Sequence, residues 1–531
     1  MYSALTLQAL EELLARRFEE GFLSLKDLPR PSAFKDMQKA TDRIVHAIRH
    51  QEKITIVGDY DVDGVTSTTL MKLFFDEIDY PIEWIIPNRF RDGYGLSAAI
   101  IPRIEESDLI ITVDNGISAV GAAALCKAKG IDLIITDHHL LPPQIPDAYA
   151  IIDQKQPECT FPYSDVCGAQ IAWYLIASLK NALNIKINMI EYLELVAIAI
   201  IADMMPLRHI NRTMVQAGIK VLNVNQRPAI KAFLEYSGKS ELNAEDIAYF
   251  LAPLINSAGR MDDASHAVAF LASTNIYDAR VRLERLIDFN TSRKETEAEL
   301  TTKALAQIDT KDKVLIAYGK EWHEGVVGIV AARVARRHEK PCIILSQNKE
   351  GVLKGSGRSF GNCDLFRLVE QSREYLEKFG GHQAAVGLSL KLDAFEDFRA
   401  ELQQRYPYSL INKDRDDEII GQLDFKEITF EFTALLKRYE PYGQGNPLPK
   451  FIATDVTIVQ ADPMGKNGEH LRFVFAQNGV VMQGVQFKTE EKYKVGSVVD
   501  LIFSVNENHF RGNTTLQLMV EKITNSIDAI I

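Results

Sequence analysis

The chain has 531 residues, of which 46% are hydrophobic and 25% are charged, a composition typical of a globular protein of several domains. Its net charge of -12 argues against a protein coated in nucleic acid, but it does not exclude a local basic channel. No apolar run approaches the ~20 residues that cross a membrane, and the acidic, amphipathic N-terminus lacks the pattern of a secretory signal. The five cysteines are scattered and form no C-x-x-C pair, which favours reduced thiols in the cytoplasm over disulfides or a zinc site.

The first half of the chain predicts a helical extension followed by α/β structure. Residues 1 to about 50 are predicted helical, with a proline-rich break at Leu28–Pro31. Residues 51–210 alternate short apolar runs with helical stretches such as Thr66–Phe75 and Ala119–Ala128, the signature of βαβ units. Residues 211–310 are predicted mainly helical, interrupted at Leu254–Met261, and end in a long helix from Ile276 to about Ile308. The sequence leaves open whether that helix is broken once near Asn290–Ser292.

The second half of the chain predicts another α/β domain and a small barrel. Residues 311–405 contain the strands VLIAY and CIILS and a helix over Gly325–Arg337. A charged segment, Asn412–Glu418, then leads into a β-rich domain, residues 410–531. Its five runs, FIATDVTIVQ, LRFVFAQ, VVMQGVQF, VVDLIFSVN and TTLQLMVEKI, predict a barrel of five strands.

Acidic and histidine side chains follow apolar runs in the first α/β domain. The runs that begin at Ile54, Leu109 and Leu133 are predicted to be buried parallel strands, and sites in such sheets gather beyond the carboxyl ends of the strands. Carboxylates with an imidazole suit two Mg²⁺ or Mn²⁺ ions, which can together support phosphoryl transfer. The residues concerned are Asp59, Asp61, Asp63, Asp114, His138, His139 and Asp203.

The motif GDYDVDG admits other interpretations. Asp59, Asp61 and Asp63 alternate, so an extended backbone would direct all three to one face, and Gly64 would allow a sharp turn into a helix. A solvated acidic turn or an EF-hand loop is the alternative. The EF-hand is disfavoured because its twelfth position, counted from Asp59, is Leu70 and not a glutamate. An aspartate after an apolar run, such as Asp203, is by itself often only a helix cap.

Glycine-rich segments in the second α/β domain predict a phosphate cradle. KGSGRSF and KFGGHQAAVG are predicted to be loops, in which backbone amides act together with Arg358 and His382. Ordinary turns are the alternative. The stretch Trp322–Gly325 is either functional or a helix start packed by its tryptophan. Asn88, Arg89 and Arg260 are candidate phosphate ligands at turns, and a surface salt bridge is the alternative for each arginine.

Aromatic residues and cations alternate in the last domain, a pattern typical of barrels that bind single strands. Most aromatics in such strands belong to the core, and about a third are expected on a binding face. The aromatics are Phe473, Phe475, Phe487, Tyr493, Phe503 and Phe510, and the cations and imidazole are Lys466, His470, Arg472, Lys488 and Arg511.

The ordered motifs together resemble the DHH phosphoesterase superfamily, and within it the bacterial single-strand-specific exonucleases. The resemblance spans nearly the whole chain. It is carried by GDYDVDG, PNRFRDGYGL, VDNGIS, TDHH, IADMMPL, NSAGRM, EWHEGVVGIVAARV, KGSGRS, GGHQAAVG and YGQGNPLPKF. It implies a parallel-sheet DHH lobe and an α/β DHHA1 lobe joined by a long helix, followed by a C-terminal OB-fold.

The resemblance also implies residue roles. Metal ligands are Asp61, Asp63, Asp114, His138 and Asp203, with Asp114 bridging two Mn²⁺ or Mg²⁺ ions. Catalytic roles fall to Asp114, to His139 as a contact of the scissile phosphate, and to Asp59 near the ions. The residues that the resemblance implies as contacts of the substrate phosphate and of the 5′ end are Arg89, Arg260, Ser356, Arg358 and His382. Val57 stands where some relatives carry a histidine ligand, which weakens a soluble-pyrophosphatase interpretation.

The implied activity is metal-dependent 5′-to-3′ degradation of single-stranded DNA to 5′-mononucleotides in recombination, base-excision repair and mismatch repair. One alternative is a phosphodiesterase of short oligonucleotides or cyclic dinucleotides, which would lack the barrel and the long helix. Another is a non-catalytic single-strand-binding relative, which would lack metal ligands. The implied substrate is single-stranded DNA with a 5′ end, and single-strand-binding protein and a helicase are candidate partners of a monomer without a membrane attachment.

Overall fold

The computed structural model describes residues 4–406, 419–465, 468–489, 491–510 and 513–525. The predicted charged segment Asn412–Glu418, Lys466 and Arg511 lie outside these residues. The chain divides into two compact units: Met1–Lys26, Pro206–Thr213 and Asp414–Ile531 form one, and Asp27–Met205 and Met214–Lys413 form the other. The five predicted domain limits stay a prediction. Among the described residues, no helix is both long and apolar enough to span a membrane.

Most helices belong to the larger unit, whereas α1 and α17 belong to the smaller one. The helices are α1 (Leu7–Ala15), α2 (Met37–His50), α3 (Val62–Glu77), α4 (Ile101–Ile104), α5 (Val120–Ala128), α6 (Gly168–Leu183), α7 (Leu193–Ala202), α8 (His209–Asn225), α9 (Pro228–Ser237), α10 (Ala244–Asp246), α11 (Ala252–Met261), α12 (Ser265–Leu271), α13 (Ile276–Leu305), α14 (Glu324–His338), α15 (Leu365–Glu370), α16 (Phe395–Arg405) and α17 (Phe430–Arg438).

The strands form three sheets. They are β1 (Ile54–Val57), β2 (Glu83–Ile85), β3 (Leu109–Val113), β4 (Asp132–Thr136), β5 (Ala150–Ile152), β6 (Leu315–Lys320), β7 (Cys342–Gln347), β8 (Val352–Arg358), β9 (Lys378–His382), β10 (Ala385–Lys391), β11 (Ile419–Gln422), β12 (Lys450–Met464), β13 (His470–Gln477), β14 (Val480–Phe487), β15 (Val498–Phe510) and β16 (Asn513–Asn525).

The first sheet is wholly parallel, in the order β2-β1-β3-β4-β5. The three predicted strands are confirmed, and their side chains are buried because helices pack against the sheet. On one face, α4 and α5 share a hydrophobic cluster with these strands, in which Ile101 and Cys126 meet Ile110 and Ile135. The carboxyl ends of β1, β3 and β4 therefore meet at one edge of the sheet, as the sequence predicted.

The helical region differs from one prediction and confirms the long helix, whose single break had been left open. The predicted interruption at Leu254–Met261 is wrong, because these residues lie inside α11. Gly259 does not break that helix; a Cβ placed on it would lie 2.4 Å from the carbonyl oxygen of Tyr60, so this glycine permits close packing. The long helix α13 is continuous over 30 residues, since Thr291 Oγ1 donates to the carbonyl of Ile287 within the helix and does not interrupt it.

The second sheet has the order β6-β7-β8-β10-β9, with β6 and β7 parallel and the other neighbours antiparallel. The predicted strands VLIAY and CIILS and the helix α14 are confirmed. The predicted glycine-rich loops are wrong: Lys354–Arg358 lies in β8, and the other segment forms β9 and β10. Gly355 fits there because a Cβ would lie 2.0 Å from the carbonyl oxygen of Ile344 on the neighbouring strand.

The smaller unit contains the predicted five-stranded barrel. Its strands follow the order β12-β13-β14-β16-β15, and β15 pairs back to β12, while β11 adds a parallel edge strand. Phe473, Phe475 and Phe503 lie in its core, together with Leu10 of α1. Phe487 is 51% exposed and Tyr493 is half-buried. The side chain of Phe510 lies outside the described residues, and the DNA-binding face stays a prediction.

Candidate active site

The acidic motif after β1 forms a turn into α3. Asp61 is the N-cap of that helix, and its Oδ1 accepts hydrogen bonds from the backbone N–H groups of Asp63 at 2.9 Å and Gly64 at 3.1 Å. The expectation of an extended run is therefore wrong, because the helix has already begun at Val62. Gly64 serves close packing, since a Cβ on it would lie 2.5 Å from the carbonyl oxygen of Asp59.

The start of α6 holds Asp63 in place. Its two carboxylate oxygens accept the backbone N–H groups of Gly168 at 2.6 Å and Ala169 at 2.8 Å. These N–H groups belong to the first turn of α6, where the helix has no internal acceptors for them and favours negative charge. Asp63 is thus a rigid carboxylate that faces the edge of the parallel sheet.

His138 lies among carboxylates from three different elements. Its Nε2 is 3.1 Å from Oδ1 of Asp114, 3.7 Å from Oδ2 of Asp63 and 3.7 Å from Oδ2 of Asp203. Asp114 follows β3 with a left-handed φ of 62°, and Asp203 ends helix α7. The apolar run before Asp203, which was not among the three predicted strands, is helical.

Three overlapping groups of these side chains have ligand atoms within 4.8 Å of one another. The structure thus brings together every residue predicted to bind metal. The groups are Asp59, Asp61 and Asp114; Asp63, His138 and Asp203; and Asp114, His138 and His139.

The electrostatics of this cluster fit divalent cations. Burial raises the pKa of Asp114 well above its usual range, and neighbouring carboxylates add to the shift. Burial and the same repulsion raise the pKa of Asp63 to about 6 and that of Asp203 to about 8. Within the described part of the chain, Asp59 Oδ1, Asp114 Oδ1 and Asp203 Oδ2 are buried and make no hydrogen bond. Oxygen donors with one imidazole, crowded and unsatisfied, are suited to Mn²⁺ or Mg²⁺.

The two histidines of the TDHH motif differ. Burial lowers the pKa of His138 to about 3, so its ring is neutral and has a nitrogen lone pair that can bind a metal ion. Burial also opposes the charging of His139, but the carboxylate of Asp137 outweighs it and raises the pKa of His139 to about 9. The bond from His139 Nδ1 to Asp137 Oδ1 is 2.6 Å long. The ring of His139 is therefore held as a cation.

Two residues beside His139 were not predicted as site residues. Asp137 also accepts backbone N–H groups of Ile117 and His138, which makes it a fixed support for the His139 ring. The hydroxyl of Tyr94 lies 3.4 Å from His139 Nε2 and 3.3 Å from the carbonyl oxygen of Asp114. The two glycines that flank Tyr94 in the sequence could have singled this residue out, because both adopt a positive φ and shape its loop.

Three predicted arginines come together in the same unit. Burial lowers the pKa of Arg260 to about 10, and the charges of Arg89 and Arg358 add to this shift. Arg89 lies over the ring of Tyr60 at 4.1 Å, and Arg358 Nη1 donates to Ser356 Oγ at 2.6 Å. Arg260 lies in α11 and not at the predicted turn. The three guanidinium groups repel one another, a cost that a bound anion would remove.

His382 lies close to this cluster but makes no polar contact with it among the described residues. In the second sheet, Ala385 pairs with both Arg358 and His382, so the two side chains share one face two strands apart. That spacing corresponds to roughly 10 Å between backbones. His382 Nδ1 accepts the N–H of Ala384 at 3.3 Å.

Family models match three parts of the chain. The DHH family N-terminal domain matches residues 53–200, the DHHA1 domain matches residues 311–406, and the RecJ OB domain matches residues 419–522. The Escherichia coli strain K12 single-stranded-DNA-specific exonuclease RecJ is 35% identical over 92% of this chain and 90% of its own length. The chain belongs to the RecJ family.

Other RecJ proteins support this assignment. The Bacillus subtilis strain 168 single-stranded-DNA-specific exonuclease RecJ is 33% identical over 94% of this chain, which spans 65% of that relative's length. A crystal structure of Thermus thermophilus RecJ in complex with Mn²⁺ matches with a TM-score of 0.78 and 25% identity. That match covers 93% of this chain and 72% of the Thermus chain.

The domain matches divide the candidate residues. The DHH match contains the predicted ligands up to His138, and Asp203 lies just beyond its end. The DHHA1 match contains Ser356, Arg358 and His382, whereas Arg260 belongs to neither domain match. In this RecJ-family chain the carboxylate cluster thus lies in the DHH match and just beyond it, whereas the arginine cluster joins Arg89 of the DHH match to Arg358 of the DHHA1 match within one compact unit.

Proposed function

We propose that this chain is a metal-dependent exonuclease that degrades single-stranded DNA from its 5′ end to 5′-mononucleotides. The observation that carries the proposal is the presence, within one compact unit, of a buried carboxylate–histidine cluster and a cluster of three arginines. Membership of the RecJ family supports the same activity. Recombination, base-excision repair and mismatch repair are the processes in which we expect it to act.

The carboxylate–histidine cluster is the proposed centre of hydrolysis. Asp61, Asp63, Asp114, His138 and Asp203 would hold two divalent cations, Mn²⁺ or Mg²⁺. When bound, these ions supply Lewis acidity and neutralise negative charge at the scissile phosphate. Asp114 belongs to two of the three ligand groups, which supports its predicted bridging role, and Asp59 adds a buried carboxylate beside it.

His139 is the proposed contact of the scissile phosphate. Asp137 holds its Nδ1–H, so a protonated ring presents Nε2–H toward the cluster. This donor would stabilise the negative charge that grows on a phosphate oxygen as the bond to the leaving nucleotide breaks. Tyr94 limits the rotation of the ring through its hydroxyl.

The arginine cluster is the proposed binding site for the 5′-terminal phosphate. A terminal phosphate carries more negative charge than an internal phosphodiester, close to two charges at neutral pH. Arg89, Arg260 and Arg358, with Ser356, provide donors that suit such a group, and His382 would contact the strand from the same face of the sheet as Arg358, two strands away. A site that prefers the terminal phosphate would determine which end of the strand is degraded.

The barrel favours long single strands over the substrates of the alternative enzyme. A phosphodiesterase of short oligonucleotides or cyclic dinucleotides has no need of a closed five-stranded barrel or of a continuous 30-residue helix. The complete ligand set likewise disfavours a non-catalytic single-strand-binding relative. We further propose a cytoplasmic monomer that works with single-strand-binding protein and a helicase.

The test uses one single-stranded oligonucleotide, labelled separately at each end, with Mn²⁺. We expect early release of labelled mononucleotide from the 5′ label only, none from blunt duplex, and loss of activity in Asp114→Asn. Asp147→Asn is the matched control, because its carboxylate is exposed and its ion-pair partner among the described residues is the surface residue Lys127. Release from the 3′ label would overturn the polarity, and cleavage restricted to dinucleotides would favour the small phosphodiesterase.

A further inference from the structure

We propose that His323 is a further substrate-binding residue, whose Nε2–H donates a hydrogen bond to the phosphate held by the arginine cluster. This inference rests on the proposed function, because it assigns a neutral donor to the same terminal-phosphate site. His323 belongs to the Trp322–Gly325 stretch, for which the sequence left a functional role and a packing role open. The indole of Trp322 fills the packing role, since a Cβ on Gly319 would lie 2.2 Å from it.

The backbone determines which nitrogen of His323 carries the proton. His323 is the N-cap of α14, and its Nδ1 accepts the N–H of Gly325 at 3.2 Å. A neutral ring in this position carries its proton on Nε2, which is then a donor. Serine, asparagine and aspartate cap helices better than histidine does, so capping alone gives no reason for an imidazole here.

Neighbours of His323 in space and along α14 lead to each of the three arginines. Its ring meets the ring of Phe90 edge-on, with centroids 5.4 Å apart, and Phe90 directly follows Arg89. Arg260 Nη1 donates to the carbonyl of Gly325 at 3.3 Å, two residues after His323. One turn further along α14, a Cβ on Gly328 would lie 3.0 Å from Nη2 of Arg358. The first turn of α14 therefore borders the arginine cluster.

A neutral donor suits this position chemically. A fourth cation would increase the repulsion among the guanidinium groups in the absence of substrate, whereas Nε2–H adds a hydrogen bond without adding charge. Burial lowers the pKa of His323, and the charge of Arg89 acts in the same direction, so the ring stays neutral as the role requires. The ligand chemistry is that of a phosphate monoester at the 5′ end of a strand.

Two substitutions separate the capping role of His323 from the proposed donor role. Asparagine places an oxygen near the position of Nδ1 and retains the cap, but it has no group at the position of Nε2. Glutamine places an amide N–H near the position of Nε2, but it is a poor cap. We expect His323→Asn to retain the wild-type melting temperature and lose the hydrogen bond to the phosphate. We expect His323→Gln to lower the melting temperature and retain that hydrogen bond. His50→Asn, on the exposed end of α2, is the matched control.

The measurement is the fluorescence anisotropy of the full chain in EDTA with a 3′-labelled oligonucleotide that carries either a 5′-phosphate or a 5′-hydroxyl. The wild type should bind the 5′-phosphate form more tightly. We expect His323→Asn to lower that preference about tenfold while binding of the 5′-hydroxyl form changes little, and His323→Gln to retain most of it. If His323→Asn kept the wild-type preference for the 5′-phosphate form, the proposed donor role would be refuted and only the helix-capping role of His323 would remain. If the wild type bound both forms equally, the terminal-phosphate site of the proposed function would itself be refuted.

Discussion

Gly259→Ala should displace the acidic turn that carries Asp59 and Asp61 from a distance. A Cβ at this position would lie 2.4 Å from the carbonyl oxygen of Tyr60, where ordinary contact begins at 3.4 Å, so the difference of 1.0 Å must be met by movement. Tyr60 stands between Asp59 and Asp61, and α11 and the turn are both packed. A misplacement of about 1 Å at reacting groups costs on the order of 100-fold in rate.

The expected stability change of Gly259→Ala is the balance of two effects. Overpacking costs about 1–3 kcal/mol, and the better helix propensity of alanine offsets up to ~1 kcal/mol of that. With the full offset we expect a net loss of about 0–2 kcal/mol, measured by denaturant unfolding, with kcat/KM for a 5′-phosphorylated oligonucleotide reduced about 100-fold.

Gly121→Ala is the matched control for this prediction. Gly121 also lies in a helix, α5, but a Cβ there would meet no atom within 4 Å. We expect a stabilisation of about 0.4–1 kcal/mol with unchanged activity. Wild-type stability and activity in Gly259→Ala would refute the reasoning, because the close approach to Tyr60 would then have no consequence.

Three further predictions concern single groups. Tyr94→Phe should lower kcat about tenfold with little change in KM, because it removes the hydroxyl beside His139; a change in KM alone would contradict this. Mn²⁺ at about 100 Kd should stabilise the wild type by ~2.7 kcal/mol in thermal unfolding, but Asp114→Asn much less. Asn446→Ala should destabilise the smaller unit by about 1–3 kcal/mol, because two backbone carbonyls lose the Nδ2 donor; proteolysis of the barrel would report it.

Local patterns predicted the elements that depend on short stretches of sequence. The apolar runs before Asp114 and His138 are strands because their residues are β-branched or large and apolar without interruption. The same rule did not apply to the run before Asp203, because apolar helices and buried strands cannot be told apart by periodicity alone. The glycines of β8 were predicted to form a loop, because only pairing with β7 and β10 reveals the close approach they permit.

The sequence by itself determined the ligand chemistry of the site and the order of its domains. Carboxylates, two adjacent histidines and the ordered motifs are properties of the chain that need no coordinates. Only the tertiary structure decided that Arg260 of a helix meets Arg89 of a turn and Arg358 of a strand, and that Asp137 and Tyr94 support His139. The physical reason is that such contacts join segments distant in the chain, and their geometry is set by packing between elements rather than by any local preference.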